Sequence, residues 1–273
     1  MIPIRLVLIV SSLFVSAHLL AVNRLVSLDP GVTELLQLMQ QQDSIVATES
    51  SRVIDGKPVV GYYRRIPAEG LLSLQPSLVI ANQHLGPASI PALLDKSNVD
   101  FMQLTTPTTV PQLKINVKKV GEQINCSECT SKVLAAINKK HKELTDLYSH
   151  PPKTAVFILM INDKTIKIAG AGSGGHALMS LMGYSNAVNH QGYRPISLEG
   201  LLALNPDVIL VTSRQDAKKS IASFQAQWPA SSSSKISFVP GEAVLSGVSM
   251  SMMDAALTIN QQLTTQTTAD VRR

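Results

Sequence analysis

The chain has 273 residues, 45% of them hydrophobic, 4% aromatic, and a formal net charge of +5. That is enough material for one large α/β domain or two smaller ones with real cores. The basic excess is scattered, apart from a lysine-rich stretch from Lys114 to Lys142 that reads as a solvated helix face, and no basic run is interleaved with aromatics, so a nucleic-acid footprint is excluded.

The first segment reads as a targeting signal. Met1 to Arg5 brings one positive charge, Leu6 to Val15 is mostly apolar, and small residues follow at Ser16, Ala17 and Ala21. That order defines a secretory signal peptide over residues 1–21, with exits after Ala17 or Ala21. A membrane anchor needs about 20 apolar residues, and Ser11, Ser12, Ser16 and His18 interrupt this run. The mature protein is therefore expected to be soluble, periplasmic and monomeric.

Short apolar strands then alternate with amphipathic helices. Strands are predicted at Arg24 to Leu28, Ser44 to Ala47, Leu78 to Ala81 and Phe101 to Leu104. Helical segments are predicted at Thr33 to Met39, Leu71 to Leu74, Ile90 to Lys96 and Val110 to Val120. Such alternation argues for βαβ units and a mainly parallel sheet. Cys126 and Cys129 follow as the only cysteines. A zinc site would need two more ligands, with only His141 nearby, and a thioredoxin-like pair would follow a strand directly. In an oxidising compartment a local structural disulfide is the expectation.

From Ser131 to about Ser149 one long polar helix is expected, ended by Pro151-Pro152. A second alternating series follows, with strands at Thr154 to Met160, Val208 to Val211 and Ile236 to Val239, and helices at Ala177 to Met182 and Met252 to Leu263. The division expected is an N-terminal lobe at 22–128, a linking helix at 129–150 and a C-terminal lobe at 151–273.

An internal repeat supports two related lobes. IPAEGLLSLQPSLVIA, Ile66 to Ala81, matches ISLEGLLALNPDVILV, Ile196 to Val211, at seven of sixteen positions with a constant offset of 130. Glu69 matches Glu199, and a tyrosine precedes each copy, Tyr62 or Tyr63 before the first and Tyr193 before the second. Ligands in such sheets bind outside the carboxyl ends of the strands, which places these loops at an interlobe cleft.

Two constellations carry chemistry. In the first, Tyr62, Tyr63, Arg64 and Arg65, an extended backbone would point Tyr62 and Arg64 the same way. A guanidinium or a metal cation favours the phenolate, a hard oxygen ligand for ferric iron and a known axial ligand of haem. Tyrosines packing on a lobe rim with solvated arginines is the competing reading of the same residues. The second constellation is Glu69 with Glu199, one per lobe. A helix N-terminal carboxylate explains each locally; a pair on one face of a rigid body would also orient it on a two-fold symmetric partner. G-A-G-S-G-G at Gly170 to Gly175 lacks the frame of a dinucleotide loop and reads as a loop for close backbone approach. No catalytic constellation is present, and no enzyme is expected.

The stretch V-G-Y-Y-R-R-I-P-A-E-G-L-L-S-L resembles the G-Y-x-R-x-x-x-A-E-G-[VIL]-L-S-L segment of periplasmic haem-binding proteins of haem ABC transporters, part of the larger group that binds vitamin B12 and iron siderophores. The resemblance extends over the mature chain. It implies a class III binding-protein fold of two Rossmann-like lobes joined by one long α-helix, with haem as the transported ligand in the cleft between them. It implies Tyr62 as axial iron ligand, Arg64 as its support, and Glu69 and Glu199 as contacts for the transmembrane subunits of the importer. Tyr63, Arg65, Tyr193 and Arg194 would line the ligand, the arginines neutralising propionates. Some relatives carry a histidine after the first strand of the second lobe, where this chain has Asn162; His176 is the nearest alternative. They also carry G-P-R-T where this chain reads V-S-M-S-M-M, and Met250, Met252 and Met253 are expected as core. A corrinoid or ferric-siderophore cargo is the alternative within this fold, and an exported redox protein using Cys126 and Cys129 the alternative outside it.

Overall fold

The alternation of apolar runs and amphipathic segments folds into two separate sheets. The computed structural model describes residues 24–148, 152–162, 165–213, 217–229 and 231–270; the expected signal peptide lies outside these residues. The first sheet comes from β1 (Leu25–Leu28), β2 (Ile45–Thr48), β3 (Leu78–Asn82) and β4 (Asp100–Leu104). They pair in the order β2-β1-β3-β4, all parallel. Helices α1 (Pro30–Leu38), α2 (Ala68–Ser73) and α3 (Ile90–Lys96) make the crossovers. Strands β1 and β3 are buried along their whole length, as the unbroken apolar runs of a covered parallel sheet require.

Helix α4 (Val110–Gln123) and the long helix α5 (Ser127–Thr145) separate this sheet from the next. Cys126 is the N-cap of α5 and is joined to Cys129 by a disulfide at the elbow between the two helices. A helix, not a strand, precedes the pair.

The second sheet contains β5 (Thr154–Asn162), β6 (Thr165–Ala169), β7 (Ser185–Asn186), β8 (Tyr193–Pro195), β9 (Val208–Ser213) and β10 (Lys235–Phe238). Its order is β10-β9-β5-β6-β8, with β7 paired to the start of β5. β10, β9 and β5 are parallel, whereas β6 runs antiparallel to both its neighbours. Helices α6 (Gly174–Leu181), α7 (Leu198–Leu204), α8 (Ala217–Gln227) and α9 (Met250–Asp270) complete this half. The sequence reading named no element at β6, β7, β8, α7 or α8. β8 pairs only with β6, and such an edge position tolerates Pro195 because no ladder donor is needed there. β6, with Lys167 between its isoleucines, and the very short β7 and β8 lack the apolar run that marked the other strands.

The duplicated sequence folds twice into the same unit. Copy one gives α2 then β3 and copy two gives α7 then β9, and each helix carries one fully buried leucine, Leu71 or Leu201. Gln75 and Asn205, equivalent in the repeat, end their helices with φ of 47° and 43°. That left-handed residue is a common helix stop.

One apolar cluster runs through both halves, from Leu36 of α1 past Val117 and Ile137 to Phe157, Met252 and Met253. The lobes thus share a packed seam along α4, α5 and α9. Met252 and Met253 are fully buried in it, in line with their reading as core.

Candidate ligand cleft

The site begins at the carboxyl edge of the first sheet, where β1 and β3 lie side by side and their following segments diverge. In doubly wound sheets this switch point is where ligands bind. Asp29 follows β1 and caps α1: its Oδ1 accepts from the backbone N–H groups of Gly31 at 2.8 Å and Val32 at 2.9 Å. Its Oδ2 accepts from the Asn82 amide at the end of β3. Burial pushes the Asp29 carboxyl above its ordinary range, against the opposing pull of these hydrogen bonds. Asn82 in turn holds the backbone N–H of His84 at 2.7 Å through its Oδ1. His84 is exposed, on the loop that leaves β3.

The Tyr62 loop is laid directly on this edge. Its base is zipped by Val60 N–H to Thr48 C=O at 2.9 Å and Ser50 N–H to Gly61 C=O at 2.9 Å. Its tip is tied to the loop after β3 by Gly86 N–H to Tyr63 C=O and Ile66 N–H to Gly86 C=O, both 2.9 Å. A Cβ on Gly86 would come within 2.5 Å of the Arg64 carbonyl oxygen, so this close approach requires glycine.

At the tip, Tyr62 is 46% exposed and its ring lies 4.5 Å from that of Tyr63, centroid to centroid. The segment is a turn, closed by Arg65 N–H to Tyr62 C=O at 2.8 Å. The extended geometry that would align Tyr62 with Arg64 is therefore absent. Arg64 lies over the Tyr63 ring, its Cζ 5.5 Å from the centroid, and its Nε donates to the Tyr63 hydroxyl at 3.4 Å. Burial, then the Tyr62 hydroxyl, raises the Tyr63 phenol above its ordinary value, which keeps Tyr63 neutral. Arg64 and Arg65 are both exposed beside it.

In the second lobe, Tyr193 stands in β8 with its ring edge-on to Phe157 at 6.5 Å, and its hydroxyl accepts from the Gly175 N–H at 3.3 Å. It thus packs against its own lobe and helps hold the start of α6. Arg194, next along β8, is exposed. His176 is in the first turn of α6, its Nδ1 3.2 Å from the Asn186 amide nitrogen. Asn162 ends β5, its Oδ1 accepting from the N–H of Thr165 at the start of β6 at 2.8 Å. The glycine loop before α6 serves close packing: a Cβ on Gly174 would come within 2.5 Å of the Val244 carbonyl oxygen.

Glu69 and Glu199 occupy the first turns of α2 and α7 and are exposed. Hydrogen bonding to its own backbone N–H, then to Ser197, lowers the Glu199 carboxyl below its ordinary value, so this charge persists into mild acid.

Sequence reasoning missed Asp29, Asn82 and His84. The signal was present: Asp29-Pro30-Gly31 is a helix-start pattern, and Asn82-Gln83-His84 are the polar residues that end a buried strand at the binding edge. What could not be read is the long-range bonding that puts them beside the Tyr62 loop.

A parallel sheet and a mixed sheet meeting along a helical seam, with polar loops gathered at the strand ends, make the class III binding-protein fold. Residues 25–235 match the family model described as periplasmic binding protein, and the chain belongs to that family. No curated protein sequence matches the chain. Among solved structures it is similar to the periplasmic haem-binding protein HutB of Vibrio cholerae, with 24% identity and a TM-score of 0.80, covering 89% of this chain and 99% of that one. A periplasmic haem-binding protein from Pseudomonas aeruginosa gives 21% identity and a TM-score of 0.78, covering 88% and 92%. The vitamin B12 binding protein BtuF of Vibrio cholerae gives 21% identity and a TM-score of 0.70, covering 88% and 98%.

Proposed function

We propose that this protein is exported to the periplasm, captures haem in the cleft between its lobes, at 22–128 and 151–273, and delivers it to an inner-membrane ABC importer. The observation that carries the reading is the exposed Tyr62 phenol, presented in the G-Y-Y-R-R motif at the carboxyl edge of the first sheet. Tyr62 supplies the axial oxygen to ferric iron. Tyr63 stays a neutral phenol and carries Arg64 on its face, so the guanidinium's positive charge stands beside the iron ligand without being consumed by a carboxylate. Arg65 and Arg194, both solvent-facing, meet the propionates from the two lobes. Tyr193 and His176 act through their own lobe, which leaves the first lobe as the side that binds metal. Solved neighbours described as haem-binding proteins support the same cargo.

Haemin titration followed by visible absorption tests it. A ferric tyrosinate spectrum is expected for the wild type, lost in Tyr62→Phe and retained in Tyr63→Phe. An unchanged spectrum in Tyr62→Phe would refute the ligand assignment. A corrinoid cargo is the second reading, favoured by the likeness to BtuF: tight cobalamin binding without any response to haemin would establish it in place of haem.

A further inference from the structure

We infer that Glu34 is an interlobe strut that fixes the opening of the cleft and ties it to the loop bearing Tyr62. Glu34 belongs to α1 of the first lobe, yet its Oε1 accepts from the backbone N–H of Ser251 at 2.7 Å and from the Ser251 hydroxyl at 2.8 Å. Ser251 is in the first turn of α9, in the second lobe. The first-turn N–H groups of a helix have no partner within it, and a carboxylate there is further favoured by the helix dipole. The next such donor, Met252 N–H, is satisfied locally by the Ser249 hydroxyl at 3.2 Å. Among the described residues, Ser251 is the one in this turn whose N–H is capped from across the seam.

The other carboxylate oxygen, Oε2, is buried and faces Arg52 Nη1 at 3.7 Å, with the Glu34 side chain only 8% exposed. Arg52 is on the loop that leads to Tyr62. Its own backbone N–H is held at 3.0 Å by Glu49, a fully buried carboxylate, and its Nε donates to Gln37 at 3.4 Å. Two residues back, Ser50 N–H pairs with the carbonyl of Gly61, the residue before Tyr62. A chain of contacts therefore runs from α9 through the Glu34 hydrogen bonds, the 3.7 Å Glu34–Arg52 ion pair and the Arg52 loop to the base of the tyrosine turn. A second seam contact, Val248 N–H to Pro107 C=O at 2.7 Å, lies close by but does not touch this loop. Glu34 is thus a positioning residue. It sets the angle at which the two lobes present their cleft residues, and movement of one lobe is transmitted to the Tyr62 turn.

The test uses the ligand-free protein, so its outcome is independent of the cargo. Spin labels are attached through a non-natural amino acid at the exposed positions Lys96 and Gln225, one per lobe. Their distance distribution is then measured together with amide exchange at residues 61–65. Glu34→Ala is expected to broaden the distribution and to speed that exchange about tenfold, the factor one lost hydrogen bond to a charged group represents. Arg52→Gln is expected to speed the exchange while leaving the distribution as in the wild type. Ser251→Ala, which keeps the N–H and removes only the hydroxyl, is expected to broaden the distribution less than Glu34→Ala, and it stands in should Glu34→Ala fail to fold. A wild-type distribution in folded Glu34→Ala, or in Ser251→Ala where the former does not fold, would overturn the strut. Wild-type exchange at 61–65 in Arg52→Gln would overturn the link to the tyrosine turn.

Discussion

At the scale of single residues, the carboxylates at the cleft edge are the main electrostatic feature. Asp29 and Glu49 are both buried, and in both burial is the largest influence and raises the pKa. Between its ordinary value of 3.8 and its raised folded value, Asp29 binds more protons in the native state than in the unfolded chain. Stability therefore falls as pH rises through that window and is restored as pH falls through it. Asp29→Asn removes this dependence but loses the acceptor that the Asn82 amide uses. The melting temperature of Asp29→Asn relative to wild type is thus expected to be most unfavourable in acid and to recover toward neutral pH. Paired thermal melts from pH 4 to 7.5 measure it; a constant difference would mean that Asp29 titrates alike folded and unfolded.

The same scale shows the limit of local pattern. The motif around Tyr62 was legible as a candidate site because tyrosine and arginine side by side carry their chemistry in any backbone. The partner of Arg64 was not, because a turn and an extended strand place residues i and i+2 differently. The hydrogen bond that closes the turn, Arg65 N–H to Tyr62 C=O, decides between them. Likewise Glu34 reads as an ordinary helix residue, since Ser251 lies 217 positions away.

At the scale of elements, the duplicated unit shows which features set its helix ends. In α7 the Ser197 hydroxyl accepts from Gly200 N–H at 3.1 Å, whereas α2 starts at Pro67 with no side-chain cap. Ser197→Ala should cost about 1 kcal/mol, read as a lowered midpoint in urea with unchanged slope. Leu201→Ala, at the buried face of the same helix, should cost about 2–5 kcal/mol and so exceed it clearly. Equal losses would mean that the cap, not the core contact, holds α7 on its sheet. The apolar runs of β1, β3, β5 and β9 and the capped starts of α1 and α4 were legible because each carries its own pattern and start signals. β6 and β8 were not, since their stability comes from pairing with β5 and with each other rather than from pattern.

At the scale of the whole molecule, the repeat places one glutamate on each lobe in equivalent first turns, Glu69 on α2 and Glu199 on α7. Two like charges held at a fixed separation recognise a partner that offers two cations at the same separation, and such pairs act on orientation and encounter more than on raw affinity. The separation depends on the lobe angle, which the shared core and the Glu34 contact hold. On the proposed function, docking and capture are expected to be separable. Glu69→Lys with Glu199→Lys is expected to leave the haemin titration as in wild type, because neither residue belongs to the tyrosine turn. The same double variant is expected to abolish importer-dependent haem uptake in cells, with each single variant intermediate. Loss of haemin binding in the double variant would place these carboxylates in capture instead, and wild-type uptake would move the importer contact to another face.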